Sequence, residues 1–146
     1  MLHSIYMLHL TFITVGDLPK GPFQEIGHEF KKRLSPYVKM DHRAVKSAEK
    51  IPSSIPAGDF VVVLEERGKL LDTKQAAQAI GALEDEGRHL TVILGGPKGL
   101  PIEIKKQANL LLALSAMTTT HDLAHIFFLE QLYRVMTIRA GKEYHY

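Results

Sequence analysis

The chain of 146 residues contains no cysteine, which excludes disulfide bonds, thiolate zinc sites and cysteine nucleophiles. A cytoplasmic location fits this absence. No apolar run approaches the roughly 20 residues that span a bilayer. The opening segment also lacks the basic residues and the cleavage site of a signal peptide. The formal net charge is only +2, which permits a nucleic-acid partner without identifying one.

Internal repeats and low-complexity segments are absent as well. The composition is that of an ordinary globular protein, with 45% hydrophobic and 23% charged residues. A chain of this length can bury a stable hydrophobic core without disulfide bonds or bound metal ions. We therefore predict one domain over residues 1–146.

Strand-like apolar segments alternate with segments of helical periodicity. The predicted strands are Leu8–Gly16, 37–45, Phe60–Gly68, 89–96 and 110–118. The predicted helices are 21–36, 72–87, 101–109 and Leu123–Arg139, and residues 47–59 are predicted as a loop. Continuous apolar runs are typical of strands buried on both faces. The pattern therefore predicts an α/β fold with a mainly parallel sheet covered by helices on both faces.

The last predicted helix carries apolar side chains nearly all the way round. A helix at the surface of a domain shows a single apolar stripe, so this one needs cover on two sides. We expect one side to face the sheet and the other to face a second copy of the chain. Phe127 and Leu132 lie on different faces of this helix, so one is expected in the core and the other in a homodimer interface.

Three predicted strands are followed by loops that share one sheet edge if the strands are parallel. The loops begin in "LEERG" (64–68), "LGGPKGL" (94–100) and "LSAMTTTH" (114–121). Glycines let the backbone approach a ligand closely, and this edge is where such folds bind ligands. "LGGPKGL" alone fits a tight turn equally well, but three converging loops predict a pocket rich in backbone donors and acceptors.

His121 and His125 stand four residues apart, with Asp122 after the first. On a helix this spacing places two imidazoles on one face, as in zinc hydrolases. A zinc site needs three or four ligands, and only His145 remains nearby. The alternative is that both histidines have non-metal roles. The tail "GKEYHY" (141–146) is either solvated or closes over a neighbouring site, because tyrosine and histidine stack on bases and exchange protons.

Five segments occur together in the second half of the chain: "LEERGKLLDTKQAA", "LGGPKGL", "LSAMT", "FLEQLYRVMTI" and "GKEYHY". In this order and at these spacings they resemble the RlmH family, SPOUT-class methyltransferases that modify a pseudouridine of 23S ribosomal RNA. The likeness runs from Met7 to Tyr146, so residues 1–6 are expected to be an N-terminal extension.

The resemblance implies a C-terminal trefoil knot, a homodimer, and S-adenosylmethionine bound by the three loops without a metal. By position, the cofactor contacts fall on Leu64, Gly95, Gly96, Leu114, Ser115, Ala116, Met117, Thr118 and Thr119. The implied reaction is methyl transfer to N3 of a pseudouridine in the assembled ribosome. His121, Tyr144 and His145 are the catalytic candidates, and His125, Arg134 and Arg139 are the substrate-binding candidates.

Several positions depart from the family pattern "PHxxxR". Thr120 stands where proline is usual, and His125 stands where arginine is usual. Since histidine titrates near neutrality, a phosphate contact there is expected to be weaker. The alternatives to the implied function are a SPOUT enzyme that acts on another RNA and a metal-dependent hydrolase that uses His121 and His125.

Overall fold

The computed structural model of the protein describes residues 7–142. Strands and helices alternate along this part of the chain in the predicted order. The strands are β1 (Leu8–Val15), β2 (Val38–Val45), β3 (Phe60–Leu70), β4 (Leu90–Leu94) and β5 (Leu110–Ala113). The helices are α1 (Pro22–Leu34), α2 (Thr73–Asp85), α3 (Ile102–Lys106) and α4 (His121–Arg139). Two short 3-10 helices, Ala48–Lys50 and Pro52–Ser54, lie in the segment predicted as a loop.

The strands form one sheet with the order β2-β1-β4-β3-β5, and every neighbouring pair is parallel. This confirms the predicted parallel α/β fold. In such a sheet the carboxyl ends of all strands lie along one edge. The loops after β3, β4 and β5 therefore share that edge with the end of β1.

Alternate side chains of the strands enter two separate cores, as the period of two in a strand requires. On one face, Phe12 of β1 and Val92 of β4 pack with residues of α1, α2 and α4. On the other face, Ile13 and Ile93 pack with α3 and with the segment that holds the 3-10 helices. Both faces of the sheet are thus covered, which is why its central strands read as continuous apolar runs.

Two helix starts follow from side-chain caps. Asp72 accepts a hydrogen bond from the Gln75 backbone N–H at 2.7 Å, and the Gln75 side chain accepts one from the Asp72 N–H at 2.9 Å. These two bonds form the capping box of α2. The last helix begins two residues before the predicted Leu123, because the Thr120 side chain caps it by accepting from the Leu123 N–H.

The faces of α4 divide as the sequence predicts. Leu132 is 3% exposed and lies in the core, whereas Phe127 is 42% exposed. The homodimer interface itself stays a prediction. Neither α4 nor any other helix within residues 7–142 is long and apolar enough to cross a membrane.

The contact between β3 and β5 is unusually close. Leu112 of β5 pairs first with Leu64 and again with Lys69, so β3 shifts its register around it. Gly68 lies at this shift, and a Cβ placed on it would be 2.6 Å from the Leu111 carbonyl oxygen. Real Cβ atoms do not approach backbone so closely, so the crossing requires glycine.

Candidate active site

A large cleft opens at the carboxyl edge of the sheet. Its walls are formed by the loops after β4 and β5, by α1 and by the first half of α4. The first predicted loop, 64–68, lies within β3 at the register shift opposite β5, and its residues 64–66 also line the cleft. The cleft has a volume of about 1370 Å³, whereas pockets for small ligands usually measure about 300–1,000 Å³. It therefore has room for a cofactor and for part of a second substrate.

Most of the predicted cofactor-binding residues line this cleft. They are Leu64, Gly95, Gly96, Leu114, Ser115, Met117, Thr118 and Thr119. Ala116 belongs to the same loop but does not line the cleft. The structure thus brings these residues to one place, and their contacts with a cofactor stay a prediction.

The loop after β4 turns sharply between Gly96 and Gly99. The Gly99 N–H donates to the Gly96 carbonyl oxygen at 3.0 Å, and Gly99 has a φ of +72°, which favours glycine. A Cβ on Gly95 would lie 2.8 Å from Cγ of Leu100. A Cβ on Gly96 would instead approach Val15 of β1 at 3.4 Å. The residue whose side chain would disturb the cleft is therefore Gly95, because Leu100 lines the cleft and Val15 does not.

We expect Gly95→Ala to weaken binding of the predicted methyl donor by at least about tenfold, because the new methyl group must displace Leu100, which lines the cleft. Isothermal calorimetry with S-adenosylmethionine measures this. Gly96→Ala is the matched control, since its methyl group meets Val15 at ordinary contact distance and should leave affinity within about twofold. Equal affinity of the two variants would contradict the assignment of this loop to the donor.

The loop after β5 was predicted as strand as far as Thr118, but β5 ends at Ala113. The Ser115 hydroxyl accepts a hydrogen bond from the Met117 N–H at 3.0 Å and holds the loop in a turn. Met117 is 82% exposed. The loop therefore leaves much of its backbone open to a ligand.

An ion pair that the sequence did not reveal stands in the cleft. Lys105 of α3 lies 2.7 Å from the Glu65 carboxylate in the middle of β3, and both side chains are about one quarter exposed. The hydrogen bond from Lys105 lowers the pKa of Glu65 below its ordinary value, so Glu65 is ionised at neutral pH. The pair has no net charge and ties α3 to β3 beside Leu64. Forty residues separate its members, and no local pattern links them.

His121 is the first residue of α4 and lies in the wall of the cleft, next to the third loop. Its side chain is 36% exposed, and its Nε2 lies 3.2 Å from the Asp122 carboxylate. A half-exposed imidazole held by a carboxylate can accept a proton from a bound substrate. Tyr144 and His145, the other catalytic candidates, lie outside the described residues.

His125 is not beside His121 on an open face. It is 3% exposed, and the Phe12 ring lies against its edge with 5.0 Å between ring centroids. The helix passes from the cleft into the core within one turn. The geometry supports neither a zinc site shared by His121 and His125 nor a direct contact of His125 with RNA. A His125→Arg change would therefore bury a charge in the core instead of presenting it to a substrate.

The two arginines predicted to bind substrate are each paired within the chain. Arg134 donates to the Glu130 carboxylate at 2.8 and 2.9 Å, one turn earlier on α4. Arg139 lies 3.0 Å from Glu84 of α2. Neither pairing prevents an RNA contact, so these two assignments stay predictions.

His125 belongs to a group of titratable side chains between β1, β2, α1 and α4, which we call the histidine cluster: Asp17, Lys31, His42 and His125. Burial, together with a smaller effect of the neighbouring His42, lowers the pKa of His125 from its ordinary 6.5 to about 4. Burial and the Lys31 charge also lower the pKa of His42. Both imidazoles are therefore neutral at physiological pH.

The low pKa of His125 makes the fold sensitive to acid. As the pH is lowered below 6.5, His125 becomes protonated in the unfolded chain but stays neutral in the folded protein. The free energy of unfolding therefore decreases as the pH is lowered. We expect a loss of about 2 kcal/mol between pH 7.5 and pH 5 in metal-free buffer. The charged or titratable groups facing His125 are His42, Asp17, Lys31 and His121.

His125→Leu should remove most of this loss, because leucine has a similar volume and does not titrate. Urea denaturation of both proteins at the two pH values measures the effect. An equal loss in the variant would show that His125 is not the responsible group. His28→Leu, on the exposed face of α1, is the control and should behave as the wild type.

Comparison with known proteins identifies the family to which the chain is similar. A family model described as a predicted SPOUT methyltransferase matches residues 8–145. The chain is 36% identical over 139 residues to the ribosomal RNA large subunit methyltransferase H of Thermus thermophilus, covering 94% of this chain and 98% of that protein. It is 34% identical over 149 residues to the protein of the same name from Caldicellulosiruptor saccharolyticus, covering 91% and 97%.

A solved structure is also similar. A probable methylase family protein from Haemophilus influenzae superposes with a TM-score of 0.64 at 12% sequence identity, covering 94% of this chain and 71% of that one. At this identity the likeness supports the fold alone. With the family model matching nearly the whole described chain, and with relatives above 30% identity over their full length, the chain belongs to the SPOUT methyltransferases and, among them, to the RlmH family.

Proposed function

We propose that the protein transfers a methyl group from S-adenosylmethionine to N3 of a pseudouridine in the large-subunit ribosomal RNA of the assembled ribosome. The observation that carries this proposal is the cleft at the carboxyl edge, where the register shift of β3 and the loops after β4 and β5 meet His121. The relatives named above supply the class of RNA.

The cleft fits the proposed donor. Its floor is apolar, with Leu64 and Leu114, while the loops offer backbone N–H and C=O groups that can recognise an adenine and a ribose. S-adenosylmethionine supplies an already activated methyl group, so the protein must mainly align donor and acceptor.

The second demand of the reaction is removal of the N3 proton from the acceptor base. We propose that His121 takes this proton, either alone or with Tyr144 and His145 of the tail. His121 is suited to this role because it stands in the wall of the cleft next to the loop that holds the donor. Asp122 stabilises the imidazolium that forms, since its carboxylate lies 3.2 Å away.

We further propose that the C-terminal part of the chain is knotted. The close crossing of β3 and β5, in which Leu112 pairs with both Leu64 and Lys69, supports this topology. A knot would hold the three loops together, because β3 and β5 could not separate without unthreading.

The experiment that tests the proposed function is methyl transfer from labelled S-adenosylmethionine to assembled ribosomes and to naked ribosomal RNA. We expect much faster transfer to ribosomes, because free RNA must be ordered at binding. Equal rates on the two substrates would contradict the ribosome as substrate. Absence of transfer to either would contradict the proposed reaction.

We also propose that the protein acts as a homodimer through α4. Leu123 and Phe127 are 47% and 42% exposed on the side of this helix that faces away from the core. A second copy would cover them and border the cleft, which Phe127 also lines.

Phe127→Lys should raise the dissociation constant of the dimer by at least about 30-fold, as loss of a central aromatic side chain does in other interfaces. Sedimentation velocity over a dilution series measures this. Ile102→Lys, which alters an exposed apolar residue of α3, is the control and should not change the constant. A wild-type protein that is monomeric at micromolar concentration would rule out the dimer.

A further inference from the structure

We propose that Asp17, His42 and His125 form a binding site for a divalent transition-metal ion of the zinc class, outside the cleft. One possible ligand atom of each residue lies within 4.8 Å of those of the other two. Two imidazoles and one carboxylate are a common ligand set for such ions, with the remaining position left to water. This site shares only His125 with the rejected pairing of His121 and His125, and none of its three residues lines the cleft.

The first observation behind this proposal is an unpartnered nitrogen. His125 is 3% exposed, and its Nε2 is buried without a hydrogen-bond partner among residues 7–142. A buried polar atom left in this state destabilises the fold, because it has lost its hydrogen bonds to water and gained none in return. A bond to a metal ion would satisfy the nitrogen and remove that cost.

The second observation is the tautomer of His42. The Thr14 hydroxyl has one hydrogen, which it donates to the Gly16 carbonyl oxygen at 2.6 Å. Its contact of 2.8 Å with His42 Nε2 must therefore be a hydrogen bond donated by the imidazole. His42 thus carries its proton on Nε2 and a lone pair on Nδ1. Metal-binding histidines are typically oriented in this way, by a hydrogen bond from the other ring nitrogen.

The lone pair of His42 Nδ1 now accepts a hydrogen bond from Lys31 Nζ at 2.7 Å. A metal ion at Nδ1 must displace this ammonium group, which repels it. Lys31 lies near the surface on α1 and can swing toward solvent. Because the Lys31 charge opposes a metal ion at this position, its removal should strengthen metal binding.

The proposed metal site is open to solvent at Asp17, whereas its two imidazoles are held in place by packing. Asp17 is exposed in the loop after β1, whereas Phe12 stacks on His42 and contacts the edge of His125. Ligands of one tetrahedral zinc ion lie about 3.4 Å apart, so the widest separation must shrink. The exposed Asp17 side chain can move to shorten its own separations from the two imidazoles. An ion bound here would tie the end of β1 to β2 and to α4.

The test is a metal titration of the full-length protein after removal of bound ions with a chelator. Calorimetry with Zn²⁺ and the visible absorption of Co²⁺ should both show one ion per chain. Asp17→Asn should weaken binding at least about tenfold, although the amide oxygen still accepts the hydrogen bond from the Leu18 N–H. His125→Leu should abolish the Co²⁺ absorption, and Lys31→Met should strengthen binding by at least about tenfold.

The control removes a surface pair that could bind the same ions. His9 and His89 stack with 4.4 Å between ring centroids, and both are exposed. The double variant His9→Asn/His89→Asn should keep the single site. The proposal would be overturned if the wild type bound no ion or if this double variant lost the binding. It would also be overturned if both Asp17→Asn and Lys31→Met bound the ion with unchanged affinity. Circular dichroism of each variant separates loss of a ligand from loss of the fold.

Discussion

Replacement of Gly68 by alanine is expected to destabilise the protein by at least about 3 kcal/mol, the upper range for overpacked sites. The added Cβ would lie 2.6 Å from the Leu111 carbonyl oxygen and 2.8 Å from the Leu112 carbonyl carbon. These are backbone atoms, so no side chain can rotate away. The change must push β5 from β3, and with it the loop at residues 114–120 that lines the cleft. Urea denaturation followed by circular dichroism measures the loss.

Gly81→Ala is the matched control for this prediction. A Cβ on Gly81 of α2 would also meet a close neighbour, but that neighbour is the end of the flexible Arg139 side chain. Alanine is also the better helix former by about 1 kcal/mol. We therefore expect this variant to be as stable as the wild type or more stable. If Gly68→Ala were equally harmless, the close crossing of β3 and β5 would be wrong.

His121→Gln is expected to lower the rate of methyl transfer by about 100-fold or more while leaving donor affinity unchanged. Glutamine keeps the polarity of the side chain but cannot accept and release a proton. Single-turnover transfer to ribosomes and calorimetry with S-adenosylmethionine separate the two effects. A variant that lacks residues 144–146 should show the same division if the tail lies on the substrate side.

His28→Gln is the control, because His28 is exposed on α1 and does not line the cleft. A His121→Gln protein with wild-type turnover would exclude His121 as the base. Full activity of the truncated protein would likewise exclude Tyr144 and His145. If His121→Gln or the truncated protein lost affinity for S-adenosylmethionine, the altered residues would belong to the cofactor-binding part of the cleft.

The order of elements and the position of the cleft could be predicted from the sequence, because both depend on local patterns. Apolar runs such as 60–64 and 90–94 identify strands buried on both faces, and parallel strands bring their following loops to one edge. The RlmH resemblance, which rests on five short segments, is confirmed by the comparisons.

The burial of His125 was missed although the sequence contained a signal for it. Phe128, Leu129 and Leu132 follow His125 at spacings of three, four and seven, which places the histidine on the apolar stripe of α4. The spacing of four residues between His121 and His125 instead predicted that both imidazoles lie on one face of the helix. His121 is the first residue of the helix, where the chain is still at the rim of the cleft, so the two imidazoles have different surroundings.

The histidine cluster and the ion pair between Glu65 and Lys105 could not be predicted from a single sequence. Asp17, His42 and His125 come from three distant segments that only the β1–β2 pairing and the position of α4 bring together. The need for glycine at position 68 is of the same kind. Its backbone has no positive φ, and the cause is a strand more than 40 residues later in the chain.

The most direct test of the proposed reaction is nucleoside analysis of ribosomal RNA from a strain that lacks the gene. Large-subunit RNA from the deletion strain is digested, and its modified nucleosides are separated and identified by mass spectrometry. The proposal predicts that 3-methylpseudouridine disappears and that pseudouridine rises by the same amount. Incubation of the deletion-strain ribosomes with purified protein and S-adenosylmethionine should restore the methylated nucleoside. Unchanged 3-methylpseudouridine, or loss of a different methylated nucleoside, would contradict it.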